Sequence, residues 1–373
     1  MLKLFIISSK IVLGEIKVCR RLMSFPNFIV NDVGDANSIF LQDYENPMML
    51  DFGIQNKDFL DDDKFFLKKQ LEFTRELIVS HYHKDHFNGL YYVNDKNIEI
   101  RKLYYPYIPR FQSSEKLIKE IHFLAFLQSI EYIKSGSCAS DLISLVRKVS
   151  STEVEACSLH IGKTIGQYEV IWPPKSADDF DVPTLARNIK IIEDKIKEIP
   201  EIEKLWSTFD RAEIDDNQLL KIDYEDLTFN RDILENLKEP INEIESKVKR
   251  ITNRFSICLY LADNFLFLGD LEQKEIRACL ENLLKQNDKE KICVKYFITP
   301  HHGTHYSDCI RDFIHATYVI SSNGKERIKD YNLKYNEIGD YYHCTCCNGY
   351  FYGMGELSEK VIISALPGTI FIV

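Results

Sequence analysis

The chain has 373 residues, 45% of them hydrophobic and 28% charged, a balance close to the soluble globular average that argues against a disordered, collagen-like or low-complexity protein. Lys and Arg number 47 against 57 Asp and Glu, a formal net charge of −10, which argues against coating of nucleic acid by bulk positive charge and leaves only a local patch or bound cations for such a contact. No apolar run reaches the roughly 18 residues of a membrane span, so no membrane association is expected, and the ten cysteines, most of them single in apolar runs (Cys138, Cys157, Cys258, Cys279, Cys293), fit reduced thiols in a cytoplasmic protein.

Residues 1–22 are apolar but interrupted by Lys3, Lys10, Glu15 and Lys17, and they lack the h-region and cleavage site of a signal peptide. They read as an extra pair of edge strands or as an extension upstream of Met23. Residues 27–42 carry two short apolar runs around a Gly-Asp turn, a hairpin signal. MMLDFG (48–53) is a buried strand, 66–76 has helical spacing, and LIVS (77–80) is a fully apolar strand. Residues 114–150 are helical by the spacing of Leu117, Ile118, Ile121, Leu124, Leu127, Ile130 and Ile133. YEVIWPP (168–174) is a strand stopped by prolines, and 180–250 reads as charged amphipathic helices, scaffold or lid. A hairpin follows at 254–272, a helix at about 271–286, a strand at 291–299, a helix at 308–316, a strand at 317–322 and a closing hairpin at 361–373. No internal repeat of fixed period is visible. Hairpins outnumber βαβ units in this reading, and two sheets packed face to face with helices outside is the architecture expected.

Six of the ten histidines fall in two clusters, His81, His83 and His86, then His301, His302 and His305. The first follows the LIVS strand directly, so it lies in a loop at a strand's C-terminal end, where a rigid scaffold commonly presents functional residues. His81-Tyr82-His83-Lys84-Asp85-His86 places three imidazoles and a carboxylate, all ligands for Zn²⁺ or Mn²⁺, in one short segment. Positions i and i+2 at a strand end point the same way, so His81 and His83 can share one ion while Asp85 and His86 face a second. Asp270 ends an apolar strand after Gly269; such a Gly-Asp pair is commonly a mere turn, but a site for two ions needs a bridging carboxylate.

These motifs, VNDVGDANSIFL, LDFG, SHYHKDH, LFLGDLE and TPHHGT in that order, resemble the metallo-β-lactamase superfamily over most of the chain except the two helical stretches. Their combination is most similar to the soluble metallo-β-lactamase domain of the competence protein ComEC and its stand-alone relatives, a group regarded as nucleases. The resemblance implies an α+β, metallo-β-lactamase-like αββα sandwich, two packed mixed sheets flanked by helices, as one catalytic domain over 23–373 with helical insertions at about 114–150 and 180–250. It implies two divalent ions, Zn or Mn, held by His81, His83, Asp85, His86, Asp270 and His301, with Asp51 bracing a ligand from behind and Asp270 bridging. His302 is open as ligand, acid or support. Where many members carry a further histidine this chain has Trp172-Pro173-Pro174, which leaves the first ion an open position unless His302, His160 or substrate completes it.

Two such cations lower the pKa of a bridging water, so hydroxide is available at neutral pH, with Asp85 orienting it and His302 or His305 protonating the leaving oxygen. The expected function is therefore a dimetal phosphodiesterase or nuclease cleaving DNA or RNA by a metal-bound hydroxide, with nucleic acid as substrate and possible partner proteins in a competence or defence system. The alternative is a small-molecule metallohydrolase acting on a lactone, thioester or cyclic nucleotide. The His343-Cys344-Thr345-Cys346-Cys347 run reads as a loop of reduced thiols or as a small extra metal site with Cys309. The basic stretches 247–254 and 325–334 are solvated faces or phosphate guides, and YYPYIPRF (104–111) is packing or a base-stacking rim.

Overall fold

The computed structural model describes residues 27–42, 46–61, 67–93, 97–130, 141–222 and 231–353. The expected strands in 1–22, the closing hairpin at 361–373 and residues 131–140 of the first helical stretch lie outside the described residues.

Alternation of side chains along each strand sets the layers. On β3 (Met48–Phe52), Met48 and Leu50 join one buried cluster while Met49 and Phe52 join another. The same split occurs on β4 (Glu76–Ile78), with Ile78 on one side and Leu77 on the other, and on β10 (Phe265–Phe267), with Phe265 and Phe267 opposite Leu266. Strands that bury both faces read as continuous apolar runs rather than alternating ones, which is why LIV and FLF stand out in the sequence. The first cluster lies between two sheets; edge-to-face contacts of Phe28 with Phe265 (5.1 Å) and Tyr296 (4.9 Å) join them. The second cluster lies between the sheets and the helices.

The first sheet has the order β14-β1-β2-β3-β4-β5-β6 and adds β1 (Asn27–Val30), β2 (Ser38–Gln42), β5 (Lys102–Pro106), β6 (Glu155–Leu159) and β14 (Phe351–Gly353). The second has the order β13-β12-β11-β10-β9-β8-β7 and adds β7 (Thr164–Ile165), β8 (Tyr168–Trp172), β9 (Cys258–Leu261), β11 (Ile292–Ile298), β12 (Ile314–Ser321) and β13 (Gly339–Cys344). The expectation that hairpins dominate is corrected. The run β3 to β6 is parallel, and so is the run β10 to β13. Each sheet thus passes from antiparallel to parallel pairing at its middle strand, β3 in one and β10 in the other. The strand after the short helix Asp308–Phe313 also starts earlier than read: Ile314, His315 and Ala316 belong to β12, because Ile292 and Val294 of β11 capture Ile314 and Ala316 in parallel register.

Helix α1 (Ser114–Ile130) is buried on more than one face. The reason is the second helical stretch, α2 (Val182–Lys197), α3 (Pro200–Arg211) and α4 (Arg231–Thr252). Leu185, Ile189, Ile192 and Ile196 make one apolar stripe on α2, begun by an Asp181 cap that accepts from Thr184 N (3.2 Å). Phe123 and Phe126 of α1 meet Trp206 and Phe209 of α3 at ring separations of 4.9–5.3 Å. Each such buried aromatic contributes about 1.5–3 kcal/mol. The described parts of this stretch put Leu185, Ile189, Ile192, Trp206, Phe209, Val248 and Ile251 into the core.

Candidate metal centre

The functional side chains arise at the C-terminal ends of parallel strands, where open α/β sheets present ligand sites. Asp51 closes β3, the His81–His86 loop follows β4, Asp270 follows β10, His301 and His302 follow β11, and Ser321, Ser322 and Asn323 end β12. The two sheets are stitched at this edge by Ile257 N donating to Ser80 O (2.7 Å) and Ser322 Oγ donating to Ala36 O (3.0 Å). Gly53 shows how tightly: a Cβ there would lie 1.6 Å from the carbonyl oxygen of Asp85, so only glycine lets the histidine loop settle against β3.

Asp51, fully buried and in a left-handed conformation (φ 60°), organises the loop. Its Oδ1 accepts from Ser80 N (2.6 Å), and its Oδ2 accepts from Asn37 Nδ2 (2.8 Å), Ser80 Oγ (2.8 Å) and His86 Nδ1 (2.7 Å). Ser80 Oγ, its proton given to Asp51, accepts from His81 Nδ1 (3.0 Å). On the facing sheet His302 Nδ1 donates to Ser322 O (2.6 Å). Each of these three rings therefore holds a proton on Nδ1 and turns Nε2 inward, the atom a metal ligand needs.

Those inward nitrogens have nothing to bond. The Nε2 atoms of His81, His83, His86, His301 and His302 are buried without a hydrogen-bond partner, although such groups are nearly always paired. Four of these histidines fall with two carboxylates into two groups whose ligand atoms lie within 4.8 Å of one another: His81, His83 and Asp270; and Asp85, His86 and His302. Asp270 Oδ2 stands between them, 3.7 Å from His81 Nε2, 3.7 Å from His86 Nε2 and 4.0 Å from His302 Nε2. Ligand atoms on one tetrahedral ion at about 2.0–2.1 Å lie roughly 3.3 Å apart, so small side-chain adjustments close these groups on an ion each. The donor set, imidazole nitrogen and carboxylate oxygen, fits a zinc- or manganese-class divalent ion.

Electrostatics agree with that fit. Burial holds His83 and, with the Arg327 guanidinium, His302 down at about 3, and burial with neighbouring His86 and His83 lowers His81 well below its usual range. All three are neutral at pH 7. Burial would raise Asp85 and Asp270, but the surrounding histidines, and Arg327 beside Asp85, outweigh it and keep both carboxyls well below their usual range. Burial would lower His86 as well, yet the carboxylates of Asp51, Asp270 and Asp85 push it up to about 10. The carboxylate cluster thus favours positive charge at its centre, which a divalent cation supplies.

The placement differs from the sequence reading in the last cluster. His302, not His301, stands with Asp85 and His86; its engaged Nδ1 and bare Nε2 suit a ligand better than a general acid. His301 turns Nδ1 toward Asp270 Oδ2 (3.5 Å) and Nε2 toward Glu272 Oε1 (3.9 Å). His305 is exposed, its ring 4.1 Å from that of His301. His160 lies against Tyr107 and Ile161 O and joins neither group. Trp172, at the place of the missing histidine, is buried and donates its Nε1 proton to Arg254 O. Among the described residues the cysteines form no disulfide and no metal-ligating group: Cys344 Sγ faces Asn323 Oδ1, Cys309 Sγ faces Ser307 Oγ, and His343 Nε2 faces Gly349 O. In 104–111 Tyr105 is packing: it is buried, and its hydroxyl donates to Asn217 O.

Sequence reasoning missed several groups. Arg327 Nη2 lies 2.5 Å from Asp85 Oδ2. Its loop is moored by Asp35, whose carboxylate accepts from Gly324 N (2.8 Å), Arg327 N (2.9 Å) and Glu326 N (3.2 Å). Asn37, Ser80, Ser322 and Glu272 were missed as well. The signal available was the basic run 325–334 and the polar VNDVGDANS turn, both visible in sequence but without partners.

No protein-family model matches the chain, and no curated protein matches it. Among solved structures it is similar to the metallo-beta-lactamase fold protein YhfI from Bacillus subtilis, with 8% identity, a TM-score of 0.33, and coverage of 88% of this chain and 100% of that one. It is also similar to a CmlA beta-hydroxylase E377D mutant, with 10% identity, a TM-score of 0.38, and coverage of 88% of this chain and 54% of that one. No helix among the described residues is long and apolar enough to cross a membrane. Strand order, layer arrangement and the placement of Asp51, the His81–His86 loop, Asp270 and His302 at strand C-terminal ends make the fold a metallo-β-lactamase-like αββα sandwich.

Proposed function

We propose that this protein is a dimetal-dependent phosphodiesterase or nuclease, with a ComEC-like motif set and nucleic acid as substrate. The observation that carries the metal-dependent part is the convergence of buried, unpartnered imidazole nitrogens on Asp85 and Asp270. His81, His83 and Asp270 would hold one ion, and Asp85, His86 and His302 the other. When bound, two such ions lower the pKa of water and neutralise charge on a phosphoryl group. Asp51 and Ser322 keep the His86 and His302 rings in the ligating tautomer.

One cation of the chain itself supports an anionic substrate. Arg327 reaches the second group from the stretch 325–334. It supplies local positive charge that the net of −10 conceals; Lys249, of the stretch 247–254, is paired with Glu245 (2.8 Å).

The test is cleavage of single-stranded DNA, double-stranded DNA, RNA and a lactone, each with Zn²⁺ and with Mn²⁺, by the parent and by Asp270→Asn. Metal-dependent nucleic-acid cleavage that disappears in Asp270→Asn is expected. Cleavage retained by a clean Asp270→Asn preparation, or turnover of the lactone alone, refutes the reading.

A further inference from the structure

Glu272, His301 and His305 bring a third set of ligand atoms within 4.8 Å of one another, outside the two groups above. We propose that these residues hold a third divalent cation of the zinc class at the mouth of the site. The proposal adds to the dimetal reading, but its own ligands are independent of it.

His301 carries the argument. It is 7% exposed, and its Nε2 is buried with no hydrogen-bond partner. Rotating the ring does not cure this: Nδ1 faces Asp270 Oδ2 at 3.5 Å, so a flip only exchanges which nitrogen is left bare. Glu272 Oε1, at 3.9 Å from Nε2, is beyond hydrogen-bond reach but suited to share an ion with it. The third ligand is His305, its ring centroid 4.1 Å from that of His301 and tilted 47° to it.

The turn that carries both histidines is fixed. His301 is held in a left-handed conformation (φ 47°). Its carbonyl accepts from Thr304 N (3.0 Å) and Thr304 Oγ1 (2.7 Å), and the His305 carbonyl accepts from Tyr335 Oη (2.5 Å). Asn253 Nδ2 donates to Glu272 Oε1 (3.4 Å), which steadies the carboxylate. Two imidazoles and one carboxylate prefer a zinc-class ion to calcium or magnesium, which take oxygen, and three protein ligands leave a position open.

His305 is exposed and the Glu272 side chain is 33% exposed, whereas the ligands of the two inner groups are mostly buried. The outer ion therefore exchanges more readily than the inner pair. Activity would then respond to free metal above the level that fills the inner groups.

The experiment is metal stoichiometry. Full-length protein is stripped with a chelator, titrated with Co²⁺ while its visible absorption is followed, and assayed for bound Zn²⁺ after equilibration at fixed free metal. His305→Ala alters an exposed side chain and leaves the core untouched; Glu272→Gln is the second variant. Each should bind one ion per chain fewer than the parent and retain the tighter ions unchanged. An unchanged count in both variants overturns the proposal. His83→Ala separates it from the dimetal reading: ions lost in His83→Ala but not in His305→Ala refute the third site alone, and ions lost in His305→Ala but not in His83→Ala refute the inner pair alone.

Discussion

Asp51→Asn exposes how the inner groups are held. The native carboxylate accepts from four donors, three of them on Oδ2. An amide offers one acceptor oxygen. If that oxygen takes the three donors of Oδ2, its NH₂ faces Ser80 N; if it turns the other way, NH₂ faces three donors. The better arrangement leaves the Ser80 N–H and the new amide's own N–H groups without acceptors, a cost of about 1–3 kcal/mol for each buried group, and it removes the charge that orders the His86 ring. His86 then has no strong reason to keep its proton on Nδ1, and a proton on Nε2 abolishes a ligand. Loss of such a bracing carboxylate lowers metal affinity about 10- to 100-fold, roughly 1.4–2.8 kcal/mol. The assays are calorimetric titration of the stripped protein with Zn²⁺ and urea unfolding of the metal-free protein. A variant that folds and binds Zn²⁺ as tightly as the parent would refute the reasoning, because the bracing bonds would then be incidental to the ligand geometry.

Arg327→Ala should leave bound metal unchanged and raise KM for a phosphodiester about 10- to 100-fold, the loss of one charge-assisted contact of roughly 1.5–3 kcal/mol; loss of metal instead would make Arg327 a support for Asp85. Gly53→Ala should cost more than about 2 kcal/mol in urea unfolding, since its Cβ meets the Asp85 carbonyl at 1.6 Å, and near-parent stability would mean that the loop yields freely. The metal-free protein should lose stability as pH falls from about 6.5 toward 3. His83 and His302 have folded values of about 3 against about 6.5 unfolded, so the unfolded chain takes up protons first, at up to about 1.4 kcal/mol per pH unit per histidine. His86, raised to about 10, works the other way: its contribution is complete below about 6.5 and fades as pH climbs toward 10. A urea midpoint that stays flat between pH 6.5 and 4 would contradict this balance.

The parts of the site that local chemistry dictates were legible. His81 and His83 share a direction because strand geometry repeats every two residues, and the apolar LIVS run fixes where that strand ends. Asp270 could be read from the LGD turn only because the histidine cluster upstream calls for a bridging carboxylate, and Asp51 only from the resemblance carried by LDFG. What stayed hidden is pairing across distance. Arg327 meets Asp85 over 242 residues and Asp35 moors Gly324 over 289, and neither carries a mark in its own neighbourhood. The histidine doublet was ambiguous for another reason: His301 at φ 47° and His302 at φ 57° are consecutive left-handed residues, and nothing local announces the conformation that sends one ring to Glu272 and the other to Asp85. Strands β5, β6 and β13 were missed because part of each is polar or exposed, as at Asp340 and Tyr341 of β13, and parallel neighbours rather than intrinsic preference hold them straight.

The mooring of the 324–327 loop by Asp35 sets a schedule on synthesis. The HYHKDH segment leaves the ribosome early, yet Ser322, which fixes His302, and Arg327, which balances Asp85, emerge more than two hundred residues later. The first sheet is itself completed only when Phe351–Gly353 pairs back onto Asn27–Val30. A partly made or truncated chain thus carries the histidine signature without an assembled centre. Such an arrangement delays assembly of the centre until residues 322–353 have been made.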